Sequence, residues 1–292
     1  MKIYLAGKIS PDDYRHGIVP GLRDAYFASD IGDPWPELQG AVFGHDYVGP
    51  FFISCDHGCA HGPNSHGMDA GRANHDTGEV VCRFEVVRRC LAAIDKADLV
   101  FAWMAGRDAH GTLVELGYAV ARGKIVIVAA PPCSDPECPN GALRCQNNTP
   151  WFATYLPEVP TYRTVSPAQT LHDWLDCYAR ARARERCESP IEMQMFDAMS
   201  AINLDFVLQH EVDRYRLDFA FVNERVAVEC DGHDFHERTK EQAAHDRRRD
   251  RAMTAAGWKT LRFTGSEIHR DAAACANEVK RIIQATGTDD RS

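Results

Sequence analysis

The sequence is short of several things, and each shortage narrows what the chain can be. No apolar run approaches the ~20 residues that a membrane-spanning helix needs, so no contact with a bilayer core is expected. Met1 leads straight into "KIYLAG", without a charged segment and an apolar stretch, so no secretory signal and a cytoplasmic location are expected. The 11 cysteines are odd in number and scattered over 292 residues, which argues against a disulfide framework and leaves metal binding open. An excess of positive charge is also lacking: a net charge of −9 disfavours indiscriminate coating of nucleic acid. The deficit is uneven. Residues 180–292 hold 19 Lys and Arg against 21 Asp and Glu, whereas residues 1–179 hold 14 against 21. The basic runs "RARARER" and "DRRRDR" both lie in the second part. No internal repeat is visible.

What is present is an ordinary globular composition, 45% hydrophobic and 26% charged, long enough for two domains. "KIYLAGKI" reads as a buried strand ending in a glycine turn. Residues 11–80 lack periodicity and read as a long His/Cys-rich insertion. "CRFEVVRRCLAAIDKA" is helical, "DLVFAWM" a strand, "HGTLVELGYAVARG" a helix closing on Gly123, and "KIVIVAA" another strand. Strands alternating with helices predict a parallel α/β domain over 1–165. A helical linker is expected over 166–187 and a second α/β domain over 188–292. That domain opens on "ESPIEMQMFDAM", with Ser189 as N-cap and Pro190 at the first helical position. Strand-like "DFVLQHEV", "YRLDFAFV" and "RVAVECD" follow, then a charged helix, the strand "WKTLRFTG" and a closing helix.

In a parallel α/β domain, ligands bind beyond the carboxyl ends of the strands. Gly7 ends the first strand, and Asp108 to Thr112 open the helix that carries Glu115. Backbone N–H groups near Gly111 can approach a phosphate or sugar. A carboxylate at Glu115 can attack an anomeric carbon or steady an oxocarbenium ion; the plainer alternative is a solvated helix residue. The runs Ile3 to Gly7, Ala97 to Val100 and Gly111 to Lys124 ("GTLVELGYAVARGK") resemble the nucleoside 2-deoxyribosyltransferase-like superfamily. The resemblance covers residues 1–130. It implies a Rossmann-like fold, N-glycosidic bond cleavage in a nucleoside or nucleotide, Glu115 as nucleophile, and Gly7, Asp98, Asp108, Gly111 and Thr112 at the substrate. It also implies a homo-oligomer. Ala109 stands where that family commonly carries an acid, and Asp108 is one position away.

Within the insertion, Cys55, His57, Cys59, His61 and His66 offer Zn²⁺ ligands, with Cys133, Cys138 and Cys145 further on. The spacings are permissible but match no standard finger. The alternative is a glycine-rich loop whose histidines touch phosphate or cap turns.

The second domain carries the denser constellation. Asp218 lies in one apolar strand, and Glu229 and Asp231 lie two apart on one face of the next. Buried carboxylates are costly unless paired, protonated or metal-bound. Three on neighbouring strands suit Mg²⁺ or Mn²⁺, with a structural ion cluster as the alternative. The spacing Asp218-x10-Glu229-x-Asp231, with "SPIE" ahead and "AAGWKTLRFTG" behind, resembles the PD-(D/E)XK nuclease superfamily, in particular its very-short-patch-repair-like group. The resemblance covers residues 185–285. It implies a mixed sheet, a restriction-endonuclease-like fold, DNA as substrate, and Asp218 and Glu229 as metal ligands. Asp231 replaces the superfamily lysine, as a ligand or to orient water, while Lys240 or His236 could supply the missing charge or proton. Glu192 is a further ligand candidate. Arg247, Arg248, Arg249 and Arg251 suit phosphate contacts, or else form a salt-bridged helix face with Asp246 and Asp250.

The reading that joins both constellations is a metal-dependent DNA endonuclease coupled to a nucleotide-binding or N-glycosidase domain, in bacterial defence or DNA processing. One alternative is a nucleoside or nucleotide N-glycosidase or deoxyribosyltransferase with a degenerate nuclease domain. Another is a nucleotide-binding switch in which neither site turns over.

Overall fold

The computed structural model describes residues 1–8, 14–20, 22, 35–51, 83–106, 109–133, 153, 156, 158–232 and 240–286, with backbone alone at 83–86 and 240–246. The chain divides into two compact units, 1–175 and 176–292.

The first unit runs β1 (Lys2–Gly7), α1 (Arg15–Ile18), β2 (Leu38–Val42), β3 (His45–Gly49), α2 (Arg83–Lys96), β4 (Leu99–Trp103), α3 (His110–Ala121), β5 (Ile125–Ala130) and β6 (Thr161–Arg163). Its sheet has the order β2-β3-β1-β4-β5-β6, antiparallel only between β2 and β3. Ile3 to Ala6 and Leu99 to Ala102 are 0% exposed, as central parallel strands covered on both faces must be. Helix α2 packs on β1 and β3, and α3 on β1, β4 and β5.

Two expectations need correction. The stretch 11–80 is not wholly an insertion, because β3 pairs directly with β1 inside it. Strands β2 and β3 form a hairpin closed by Phe43 and Gly44, with φ of 50° and 84°. Positive φ at both central residues is the two-residue hairpin geometry that Asn-Gly usually signals, and a phenylalanine there hides it. Phe43 is held from outside the hairpin by an edge contact with the ring of His172, centroids 5.0 Å apart. The second correction concerns Asp98. The register pairs Ile3 with Leu99 and Gly7 with Trp103. Asp98 therefore lies at the amino ends of the strands, where its Oδ2 accepts from the Lys2 N–H at 2.7 Å. It cannot share a ligand with Gly7 and α3 at the opposite ends.

The division between units falls inside α4 (Pro167–Arg184). The second unit continues with α5 (Pro190–Ala201), β7 (Val207–Val212), β8 (Tyr215–Phe221), β9 (Val226–Asp231), α6 (Lys240–Ala255), β10 (Lys259–Thr264) and α7 (Gly265–Thr286). The sheet order is β10-β9-β8-β7, parallel between β10 and β9 and antiparallel elsewhere. Met195, Phe196 and Met199 of α5 and Ile268, Ala276 and Val279 of α7 share a core with Phe219, Phe221, Val226 and Val228. The opposite face carries a smaller core of Tyr215, Leu217, Ala220, Ala227 and Met253, the last from α6.

Strand alternation would put Leu217 and Phe219 on one face. Instead they belong to different cores, so β8 changes faces at Asp218. The register brackets the position: Leu208 pairs with Phe219 and His210 with Leu217. The residue facing Asp218 is Gln209, whose φ is 52°, left-handed in the middle of a strand. Both strands turn over together at this step.

Candidate functional site

The turnover at Asp218 builds the site. Pairing of β8 with β9 reaches Phe219 opposite Val228. One step further, the Cys230 N–H donates to the Asp218 carboxylate, Oδ2, at 2.8 Å. Glu229 is 4% exposed. Burial pushes the Asp218 carboxyl up to about 6, with Glu192 and Asp231 adding to the rise. Burial pushes Glu229 up to about 7, and the neighbouring charge of Asp218 adds to it. The two carboxylates repel each other in a partly desolvated corner, which is the setting a dication relieves.

Opposing cations come from two elements. Met253 is 2% exposed and anchors α6 on the sheet. Arg249, one turn earlier on the same helix face, therefore points at the sheet. Its Nη2 donates to Glu229 Oε1 at 2.5 Å and to the Arg216 carbonyl at 2.9 Å. Arg262, paired in register with Glu229 on β10, reaches Asp231 Oδ1 at 3.4 Å and Asp250 Oδ1 at 2.9 Å. Arg247, Arg248 and Arg251 are exposed. Of the four candidate phosphate contacts, Arg249 is thus a site residue and the other three are surface cations. Arg262 was missed; its signal was the "LRF" run, whose register opposite "VEC" places it beside Glu229.

Glu192 has a job of its own. Ser189 caps α5, its Oγ accepting from the Glu192 N–H at 3.3 Å. Glu192 reaches back, accepting from Ser189 Oγ at 2.7 Å, the Glu188 N–H at 2.9 Å and Gln209 Nε2 at 3.1 Å. This is a variant of the capping box in which the backbone N–H served is that of Glu188, before the cap, and Gln209 of β7 joins it; it buries the Glu192 carboxylate near Asp218. His236 and the side chain of Lys240 lie outside the described residues, as do Asp108 and the zinc candidates Cys55, His57, Cys59 and His61.

Oxygen donors alone suit a hard dication such as Mg²⁺ or Mn²⁺. Among the described residues, however, no three His, Cys, Asp or Glu side chains are gathered closely enough to hold a metal ion as they stand. Mg²⁺ is commonly held by one or two carboxylates together with waters and substrate phosphate, and one oxygen of Glu229 is taken up by Arg249.

In the first unit, Glu115 of α3 faces Tyr4 of β1 and Cys90 of α2. Tyr4, 0% exposed on β1, donates to its Oε1 at 2.6 Å. Burial raises the Glu115 carboxyl, while the Tyr4 hydroxyl, the Arg15 charge and the Cys90 thiol pull it back. Arg15 is 0% exposed and donates through Nε to the Leu5 carbonyl and through Nη2 to the Gly7 carbonyl, both at 2.6 Å. A Cβ on Gly7 would lie 3.0 Å from the Trp103 carbonyl oxygen and 3.1 Å from Tyr14, so glycine is needed there for close approach. Thr112 is buried, and a Cβ on Gly111 would meet nothing within 4 Å. Tyr4, Cys90 and Arg15 were not singled out by motif reasoning. Tyr4 lies within "IYLAG" and is the one polar side chain of that run.

Residues 192–283 match the family model REase_MTES_1575, so the second unit contains a restriction endonuclease-like domain. Such domains are in general dependent on a divalent metal. A relative is the uncharacterized protein YcjD of Escherichia coli (strain K12), 43% identical over 65 residues, which are 22% of this chain and half the length of that protein. A solved structure, the catalytic domain of the homing endonuclease I-Bth0305I, aligns with 34% of this chain and 98% of its own, at 14% identity and a TM-score of 0.30. No described helix is long and apolar enough to cross a membrane.

Proposed function

We propose that the C-terminal unit is a metal-dependent DNA endonuclease. One observation carries this reading: Asp218 and Glu229 come from adjacent strands into one partly desolvated corner, where burial raises both carboxyls, inside a stretch matching a restriction-endonuclease family. Asp218 and Glu229 are the metal-facing carboxylates. Asp231, steadied by Arg262, joins them or orients the attacking water. When bound, Mg²⁺ or Mn²⁺ supplies charge that polarises the phosphate and acidifies water. Glu192 contributes negative charge behind Asp218 and holds the α5 cap in place. Arg247, Arg248 and Arg251 meet the DNA backbone, giving affinity that falls steeply with salt. The test is nicking of supercoiled plasmid with Mg²⁺ or Mn²⁺. Asp218→Asn and Glu229→Gln should each abolish it; cleavage undiminished in both would sink the assignment.

A second activity for the N-terminal unit rests on Glu115. A carboxylate held by Tyr4 at 2.6 Å, with a buried arginine nearby, is poised to attack the anomeric carbon of a bound nucleoside or nucleotide. We assign this unit N-glycosidase or nucleotide-binding work feeding the nuclease, in defence or DNA processing. Base release from a nucleoside and nucleotide panel, followed chromatographically, tests it. Release that survives Glu115→Gln would refute the nucleophile role.

A further inference from the structure

We propose that Arg249 is a latch that couples metal binding to DNA binding: without DNA it occupies Glu229, and a backbone phosphate draws it away. The proposal rests on the nuclease reading of the C-terminal unit. Its basis is the contact itself. Arg249 Nη2 lies 2.5 Å from Glu229 Oε1, and among the described residues Glu229 is the one ion-pair partner of Arg249. The guanidinium and a dication cannot hold the same oxygen. The side chain of Glu229 is 5% exposed and that of Arg249 is 20% exposed, so the arginine has a way out and the carboxylate does not.

Arg262 is placed differently. It bridges Asp231 of β9 and Asp250 of α6, so leaving would cost two contacts on two elements. Arg249 is held by one carboxylate and one carbonyl, on a helix whose Arg247, Arg248 and Arg251 are exposed. A duplex drawn to those cations brings phosphate oxygens near Arg249, and a guanidinium accepts phosphate in place of carboxylate with the same fork of donors. Glu229 is then returned to the metal. A dication at Glu229 in turn repels Arg249 towards the phosphate. Metal and DNA therefore tighten each other by one common factor, as linkage requires.

The test uses the full chain, Ca²⁺ as the probe metal, and a short duplex of arbitrary sequence, at about pH 8.5 to keep Glu229 ionised. Calorimetry should show duplex raising Ca²⁺ affinity on the order of tenfold, and Ca²⁺ raising duplex affinity by the same factor. Arg249→Gln should bind Ca²⁺ about tenfold more tightly than the parent without DNA, and the duplex should then add little. Arg249→Met serves where Gln does not fold. Two results would overturn the latch: a variant binding Ca²⁺ no more tightly than the parent, or one in which duplex still raises affinity by the parent's factor. Glu229→Gln and Asp218→Asn separate this from failure of the nuclease reading. If both bind Ca²⁺ like the parent, there is no metal site there for Arg249 to guard.

Discussion

Asn at position 218 should make the C-terminal unit more stable in alkali and leave it unchanged in acid. Burial, with Glu192 and Asp231 nearby, raises the Asp218 carboxyl from 3.8 to about 6, against the pull of the Cys230 N–H and Arg249. The folded state therefore holds this proton more tightly than the unfolded chain. The stability it contributes is complete below 3.8 and is lost as pH rises through about 6. The difference amounts to about 3 kcal/mol, or about 2 kcal/mol once the partial exposure of Asp218 is allowed for. Asn keeps an oxygen for the Cys230 N–H and removes the charge, so Asp218→Asn should gain about 2 kcal/mol at pH 8.5 and nothing at pH 3.5. Hydrogen exchange of β9 peptides in the full chain, with intrinsic rates corrected for pH, isolates this unit. Saturating Mg²⁺ should close the gap, because a dication at one hundred times its Kd stabilises the parent by about 2.7 kcal/mol and has lost a ligand in the variant. A gain of equal size at both pH values, or a loss at pH 8.5, would refute the account of a desolvated, repelled carboxyl.

Three further outcomes are expected. Tyr4→Phe removes a hydrogen bond that lowers the Glu115 carboxyl, so the acid limb of any base-release pH profile should move to higher pH; an unmoved limb would detach Tyr4 from Glu115. Met253→Ala should destabilise the C-terminal unit by about 2–4 kcal/mol in urea unfolding, through the cavity beneath α6. Ser189→Ala should cost about 1 kcal/mol through the lost cap. Gln in place of Glu192 should cost less than that, because its amide oxygen can still accept from the Glu188 N–H.

Much of the site was readable where one local pattern dominated. Alternation in "VAVECD" placed Glu229 and Asp231 on one face, and the Ser189–Glu192 spacing announced a helix start. What stayed hidden depends on partners distant in sequence. The hairpin of β2 and β3 escaped because Phe43 occupies a left-handed turn position that sterics disfavour for a bulky side chain. Asp98 looked like part of a binding motif until the parallel register put it at the wrong end of the sheet. Arg249 could not be told from Arg247 and Arg248 without knowing that Met253 sets the inward face of α6. Gln209 carried no signal at all, since its role comes from being opposite Asp218.

The turnover of β7 and β8 at Gln209 and Asp218 has a mechanical consequence. Leu217 and Phe219 are two residues apart yet answer to different cores, so a single strand step ties the two packed layers together. Asp218 is therefore flanked by one anchor in each layer, Leu217 on one side and Phe219 on the other. A carboxylate placed there has its aim fixed from both faces of the sheet at once.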